Sequence, residues 1–217
     1  MKKRILSLIL ALSMVLSVLP LGAFAADPPP ELVMENGLPN CSNGTSGNGW
    51  DYDSSTDTLT LNYGAFDFSS THPQGKTQGT STTTPVKCAI VIGLDVEITG
   101  GIFDKAVINA EGEISGGTFN ATVTNYSDGE ISNGTFNGTV TNKGNIKNGT
   151  FKRRVTNDQR SIYGGTFAAG LSENHGYIYH GVFNGNTALT TKAHKVTVTN
   201  GSVLKVNSEG PRNEDGT

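Results

Sequence analysis

Apolar residues recur along the middle of the chain with a period of about 16 residues. Six phenylalanines mark it, with spacings of 16, 17, 15, 16 and 16 residues. They are Phe103, Phe119, Phe136, Phe151, Phe167 and Phe183. Each copy begins with an isoleucine five residues before the phenylalanine, and the first five copies have valine or leucine four residues after it. This alternation predicts short strands whose Ile, Phe and Val side chains point inward.

A repeat of this length is too short for a pair of helices, and its copies are rich in Gly-Gly, Asn-Gly and Thr-Val-Thr, which disfavour helix. We therefore predict an all-β fold, a single-stranded parallel β-helix (β-solenoid) of about 16 residues per coil with an N-terminal β cap. Glycine recurs two residues before each phenylalanine, which predicts a corner there. Asparagine recurs two residues after the inward valine, which predicts a stacked amide ladder at a second corner, at Asn109, Asn125, Asn142 and Asn157.

The chain divides into four segments. Residues 1–25 have a basic start, an apolar stretch and Ala23-Phe24-Ala25, the pattern of a signal peptide. Residues 26–97 contain the predicted cap strands and a long exposed loop, and residues 98–195 contain the solenoid repeats. Residues 196–217 form a terminal strand and a polar tail, consistent with the start of a further module. The signal peptide predicts a secreted or cell-surface protein.

Charge and composition restrict the partners. The signal peptide holds three of the 16 basic residues and none of the 19 acidic ones, so the mature chain has 13 basic residues and a net charge of −6. This charge argues against a nucleic-acid partner. After cleavage of the signal peptide, we expect no membrane-spanning segment.

The only two cysteines, Cys41 and Cys88, lie in the cap region of an exported chain. We expect them to form a disulfide. The alternative is that Cys88, which lies on the inward parity of its strand, is a buried free thiol.

Two stretches carry a resemblance to a known family. The segment GNGWDYDSSTDTLTLNYGAF from Gly47 and the alternating CAIVIGLDVEITGG from Cys88 resemble the opening of clostridial-type extracellular carbohydrate-binding domains that fold as parallel β-helices. Repeats such as ISNGTFNGTVTN from Ile131 are similar to the GGTF-type repeats of large bacterial surface proteins. The resemblance implies an extracellular protein associated with pectin-like polysaccharide. It transfers no metal site, because the repeats lack the additional acidic ligands of the calcium-binding members.

The strongest candidate for a ligand-binding site is a basic cluster in an acidic chain. It comprises Lys143, Lys147, Lys152, Arg153, Arg154 and Arg160, with a single acidic residue, Asp158, among them. We select Lys147, Lys152, Arg153 and Arg154 as residues that could bind an acidic glycan, and the alternative is a solvated face. Aromatic residues that could stack on sugars are Trp50, Tyr126, Tyr163, Tyr177 and Tyr179.

No set of residues indicates a catalytic centre, a cofactor or a metal site. A pectate-lyase-like enzyme would need clustered carboxylates and a base, and the nearest candidates, Asp104, Lys105, Glu111 and Glu113, fall at different places in one turn. The histidines show no pairing in sequence with a carboxylate or serine that suggests a triad. We expect a protein that binds carbohydrate or acts as an adhesin, with a passive stalk of a larger surface protein as the alternative. A polysaccharide-degrading enzyme is the second alternative.

Overall fold

A computed structural model describes residues 29–75 and 80–184, together with three short strand backbones at 187–189, 197–198 and 204–206. The predicted signal peptide and most of the predicted tail lie outside the described residues. No helix occurs in the described part of the chain. A search of those residues for a helix long and apolar enough to cross a membrane finds none.

The strands are short, as expected for a chain that turns every few residues. The N-terminal part has β1 (Met34–Glu35), β2 (Leu38–Pro39), β3 (Ser46–Gly47), β4 (Trp50–Asp53), β5 (Thr58–Leu61), β6 (Gly64–Asp67), β7 (Ala89–Ile92), β8 (Val96–Gly100) and β9 (Ile102–Phe103). The repeats have β10 (Val107–Asn109), β11 (Glu113–Ile114), β12 (Thr118–Phe119), β13 (Val123–Asn125), β14 (Glu130–Ile131), β15 (Thr135–Phe136), β16 (Val140–Asn142), β17 (Asn145–Ile146), β18 (Thr150–Phe151), β19 (Val155–Asn157), β20 (Ser161–Ile162), β21 (Thr166–Phe167), β22 (Leu171–Asn174), β23 (Tyr177–Ile178) and β24 (Val182–Phe183). The last three are β25 (Thr187–Leu189), β26 (Thr197–Val198) and β27 (Leu204–Val206).

The repeats form three parallel sheets, and each coil contributes one strand to each of them. We name the sheets by the residue that each coil directs inward. The isoleucine sheet has the order β23-β20-β17-β14-β11-β8-β6, and the phenylalanine sheet has the order β26-β24-β21-β18-β15-β12-β9. The valine sheet runs β22-β19-β16-β13-β10-β7-β5 and continues into the antiparallel strands β4 and β3. The predicted β-solenoid is thus confirmed, with about six turns.

Equivalent residues of successive coils lie directly beside one another. In the phenylalanine sheet, for example, Phe119 pairs with Phe136, and Phe136 with Phe151. The six phenylalanine side chains are at most 1% exposed. Their rings stack in one column with centroids 4.6–4.9 Å apart and planes within 9° of parallel. This distance is the spacing of hydrogen-bonded strands, so backbone pairing and ring stacking set the same rise per coil.

The corner between the isoleucine and phenylalanine sheets requires glycine. The residue two positions before each phenylalanine has a φ between +106° and +152°, a region that side chains with a Cβ rarely adopt. These residues are Gly101, Gly117, Gly134, Gly149, Gly165 and Gly181. The backbone can therefore turn sharply and direct the phenylalanine inward immediately afterwards.

The corner between the valine and isoleucine sheets encloses the asparagine ladder. The Nδ2 of Asn109, Asn125 and Asn142 each donates to the Oδ1 of the next asparagine at 2.8 Å, and Asn157 donates to Asn174 at 2.6 Å. All five side chains are fully buried. The first four members are those that the sequence predicts. Asn174 was missed because β22 contains an extra residue, which shifts its register against β19.

The parallel ladders begin earlier than the predicted first repeat at residue 98. Strand β5 pairs in parallel with β7, and β6 pairs in parallel with β8, so part of the predicted cap region already belongs to the solenoid. The antiparallel strands β3 and β4 and the hairpin of β1 and β2 then form the cap. The predicted exposed loop after Phe68 folds back on this cap, with Met34 N donating to Thr71 O at 2.7 Å and Leu32 N donating to Gln74 Oε1 at 3.0 Å.

The predicted disulfide is not formed. Cys88 lies on the inward parity next to β7 and is 1% exposed, whereas Cys41 is half-buried in the cap and its thiol lies 3.7 Å from Pro39 O. Burial raises the pKa of the Cys88 thiol to about 12. The structure therefore matches the alternative of a buried free thiol, because packing against the coil directs Cys88 into the core.

Candidate ligand-binding surfaces

The surface that the solenoid offers to other molecules consists of its outward-facing rows, because the interior is filled with side chains. Because the coils stack, the side chains at one outward position of the repeat form a row along the solenoid axis. A binding site on such a surface depends on which rows neighbouring coils place together.

The basic cluster divides into two groups. Lys147 lies next to the isoleucine sheet, where its Nζ is 2.6 Å from Glu130 Oε1, and this hydrogen bond raises the pKa of Lys147. Lys143 and Arg160 follow the valine sheet and also lie near carboxylates. The distances are 3.8 Å from Lys143 Nζ to Asp158 Oδ2 and 3.7 Å from an Arg160 nitrogen to Asp128 Oδ1. The predicted grouping of Lys147 with Lys152, Arg153 and Arg154 is therefore wrong in its geometry, because one coil places them on different faces.

The second group occupies the corner between the phenylalanine and valine sheets. We call Lys152, Arg153 and Arg154 the basic corner. All three side chains are exposed, and none forms an ion pair with the acidic residues that the structure describes. The same corner in the two adjacent coils carries small or uncharged residues, which are Asn137, Gly138, Thr139, Ala168, Ala169 and Gly170. The basic side chains can therefore extend beyond their neighbours without an intramolecular counter-charge.

Trp50 is not a surface residue, contrary to the sequence-based prediction. It is 2% exposed and its Nε1 donates to Pro30 O at 3.1 Å. Strand β4 pairs antiparallel with β5 and directs Trp50 onto the end of the solenoid core. Trp50 is therefore part of the hydrophobic core, and its ring is not available for stacking on a sugar.

The four tyrosines do lie on the outside. Tyr126, Tyr163 and Tyr177 are 42–44% exposed. Tyr126 has Lys143 Nζ 5.7 Å from its ring centroid, so a cation already lies over that ring. The rings of Tyr163 and Tyr179 stack on each other with centroids 4.9 Å apart and planes 2° from parallel. Two rings lying side by side in one plane would overlap at this distance. The two ring planes are therefore stacked one above the other along the solenoid axis, and the ring edges point outward.

The carboxylates named above as candidates for catalysis are dispersed over different faces. Asp104 follows the phenylalanine sheet, where it accepts a hydrogen bond from Asn120 Nδ2 at 2.7 Å. Glu113 lies on the isoleucine sheet and accepts a hydrogen bond from Ser132 Oγ. Within the described ranges, no group of three or more His, Cys, Asp or Glu residues has the geometry to hold a metal ion. The sequence did not indicate one pairing: His175 Nδ1 lies 3.5 Å from Asp158 Oδ1, and His175 is exposed whereas Asp158 is half-buried.

A small cavity lies at the N-terminal end, between the hairpin of β1 and β2 and the returning loop. It measures about 240 Å³, and its lining includes Met34, Phe68 and Val86 together with three threonines. Glu35 is its one ionisable lining residue, and Glu35 Oε2 accepts a hydrogen bond from Asn40 Nδ2 at 3.0 Å. The cavity offers no pair of groups for proton transfer.

Comparison with protein families, with curated proteins and with solved structures gives no match to this chain. The basic corner provides three adjacent long cationic side chains on a convex edge. A convex edge contacts an extended polymer along its length, whereas a small anion needs a concave site to exclude water.

Proposed function

We propose that this protein is an exported bacterial surface or secreted protein that binds carbohydrate, and that the basic corner binds an anionic polysaccharide. The observation that carries the proposal is the uncompensated charge of Lys152, Arg153 and Arg154 beside small neighbours. The other three members of the basic cluster each lie near a carboxylate. The resemblance of the N-terminal segment and the repeats to clostridial-type extracellular carbohydrate-binding domains with GGTF-type repeats supports the same ligand class.

Anionic polysaccharide is favoured over nucleic acid because the mature chain has a net charge of −6. Duplex DNA carries one negative charge per about 1.7 Å of its length and would meet strong repulsion from a mostly acidic surface, whereas a polysaccharide with one carboxylate per sugar has a lower charge density and meets less repulsion. Attraction between exposed charges falls off over a Debye length of about 10 Å at 0.1 M salt. Binding at the basic corner is therefore expected to weaken as the salt concentration rises.

The test uses two variants that remove the same number of charges from different faces. The corner variant is Lys152→Ser, Arg153→Ser and Arg154→Ser, and the control variant is Lys143→Ser, Lys147→Ser and Arg160→Ser. Affinity for polygalacturonate is measured by titration calorimetry at low and high salt. We expect the corner variant to lose about tenfold or more in affinity and the control variant about twofold or less, because only the first removes uncompensated charges. Equal losses in both variants would show that net charge alone causes binding.

A passive stalk is the competing function, and the continuous ladder of parallel strands is equally suited to a spacer. A stalk predicts no saturable binding to polygalacturonate by the wild-type protein at any salt concentration.

An enzyme of the pectate-lyase type is tested in the same samples, because cleavage by elimination produces an unsaturated sugar that absorbs in the ultraviolet. Appearance of that absorbance would replace binding with catalysis as the function.

A further inference from the structure

The basic corner is only one coil wide, and this width limits the ligand that it can bind. Its cationic residues lie between Phe151 and Val155, whose side chains are buried, and the same corner of both adjacent coils is uncharged. Lys105 occupies the row of Arg153 three coils away. At the spacing of hydrogen-bonded strands this distance is about 14 Å, which exceeds the Debye length of about 10 Å at 0.1 M salt. Along the axis, the corner is therefore an isolated group of charges.

The positive charge also ends along the coil in both directions. The next ionisable residues of the same coil are Lys147 before the corner and Asp158 after it. Lys147 Nζ lies 2.6 Å from Glu130 Oε1, and Asp158 Oδ2 lies 3.8 Å from Lys143 Nζ. A ligand that follows the coil beyond the corner therefore meets charge pairs with no net charge. The uncompensated charge is confined to three consecutive residues.

The three cations are arranged around the coil and not along the solenoid axis. Consecutive Cα atoms are about 3.8 Å apart, so the Cα atoms of Lys152 and Arg154 are separated by about 7.6 Å at most. A polymer that lies along the axis would pass over uncharged corners before and after this coil. A polymer that contacts all three cations has to cross the axis and follow the direction of the coil.

The chemistry of these side chains determines which anionic polymer fits best. Arg153 and Arg154 can each bind one carboxylate through two parallel hydrogen bonds, and Lys152 can bind a third as a compact charge. A polymer made only of uronate sugars carries a carboxylate on every sugar, so consecutive sugars can supply all three. In a polymer where uronate alternates with a neutral sugar, the carboxylates are about twice as far apart, and fewer of them reach a corner that is one coil wide.

On these grounds we infer that the basic corner binds a run of three consecutive uronate sugars, in a polysaccharide that crosses the solenoid axis. The inference rests on the proposed function in one respect, that the corner binds an anionic polysaccharide. It adds the class of polymer and the length of the bound segment. Affinity then depends on how closely the carboxylates follow one another and not on the total charge of the ligand.

The experiment measures the affinity of the full mature chain for four defined oligosaccharides by nuclear magnetic resonance titration at low salt. Three are digalacturonate, trigalacturonate and hexagalacturonate. The fourth is a hyaluronan hexasaccharide, in which uronate alternates with N-acetylhexosamine, so it has as many carboxylates as trigalacturonate at a wider spacing. The variants are Arg153→Ser and its matched control Lys105→Ser, which removes one exposed cation from the same row three coils away. Circular dichroism shows whether each variant retains the wild-type fold.

We expect trigalacturonate to bind about fivefold more tightly than digalacturonate, which is the effect of one further pair of exposed charges. Hexagalacturonate should exceed trigalacturonate by about fourfold at most, because a run of three can be chosen from six sugars in about four ways. The hyaluronan hexasaccharide should bind at least about threefold more weakly than trigalacturonate. Arg153→Ser should lower the affinity for trigalacturonate by about fivefold, and Lys105→Ser by less than about twofold, because only Arg153 belongs to the corner.

Three results would overturn the inference. They are a gain of more than about tenfold from trigalacturonate to hexagalacturonate, equal binding of trigalacturonate and the hyaluronan hexasaccharide, and equal losses in Arg153→Ser and Lys105→Ser. With any of these, loss of polygalacturonate binding in the corner variant would still support the proposed function. Absence of binding by the wild-type protein to every galacturonate, polygalacturonate included, would reject both.

Discussion

Replacing Asn142 by aspartate changes one atom in the middle of the buried ladder and reverses its hydrogen-bonding role. Asn142 Nδ2 donates to Asn157 Oδ1 and to Gly144 O, both at 2.8 Å, and its Oδ1 accepts from Asn125 Nδ2 at 2.8 Å. A carboxylate can still accept from Asn125. It cannot donate, so Gly144 O and Asn157 Oδ1, which accept hydrogen bonds from Asn142, would instead face an anionic oxygen at the same distance.

The cost of the substitution depends on pH. When protonated, the new carboxyl donates to one of the two acceptors and leaves the other unsatisfied, which costs about 1–3 kcal/mol. When ionised, it places a charge at a site that is fully buried. Burial of this kind raises the pKa of a carboxyl by roughly 3–5 above its unfolded value of about 3.9. Keeping the proton at pH 7 then costs about 4 kcal/mol more, since each pKa unit corresponds to about 1.36 kcal/mol.

The sign follows from linkage between protonation and folding. A folded pKa above the unfolded pKa means that the protonated state favours folding, so the variant is most stable below about pH 4 and loses stability as the pH rises toward the folded pKa. At pH 7 the total loss of about 5–7 kcal/mol approaches the whole stability of an ordinary domain. We expect Asn142→Asp to fold at pH 4 and to be largely unfolded at pH 8.

The assay is urea unfolding followed by circular dichroism at about pH 4, 5.5, 7 and 8, and the wild-type free energy of unfolding is subtracted at each pH. Thr141→Asp is the control, because it adds the same charge at the neighbouring outward position. Asn174→Asp is the graded comparison, since Asn174 Nδ2 donates to Gly176 O at 3.2 Å and its Oδ1 already accepts from Asn157. A loss in Asn142→Asp that is smaller than about 1 kcal/mol, or that does not grow with pH, would refute the ladder argument.

Three further predictions concern the core and the cap. Phe151→Ala should cost about 3–5 kcal/mol in urea unfolding, because it removes a buried ring stacked on both sides, whereas Thr150→Ala should cost less than about 1 kcal/mol; equal costs would mean that the inward face is misassigned. Cys41 should react with a thiol reagent in the native protein and Cys88 only after denaturation, so a count of zero thiols in denaturant without reductant would restore the disulfide. Fluorescence of Trp50, the only tryptophan, should be blue-shifted and poorly quenched by acrylamide, and strong quenching in the folded state would contradict its burial.

The sequence was sufficient to predict the solenoid, the inward phenylalanine column, the glycine corner and four of the five rungs of the amide ladder. In a repeat protein each coil packs on copies of itself, so the neighbours of Phe136 are found one period away in the chain. The length of the repeat therefore predicts which core residues contact each other in the folded protein. The same logic failed at Asn174, where one extra residue in β22 breaks the period and only the register of the strands restores the match.

The tertiary structure alone decided where the non-repeating and outward residues lie. Trp50 is buried and the two cysteines remain separate because the cap packs segments that are distant in sequence and follow no period. The basic cluster divided because a three-sided coil turns within a few residues, which places Lys147 beside Glu130 and leaves Lys152 on another edge. Inward positions are fixed by hydrophobic burial, which the sequence pattern records. The surroundings of an outward side chain depend on the charged and small residues of the adjacent coils, and these are known only once the coils are stacked.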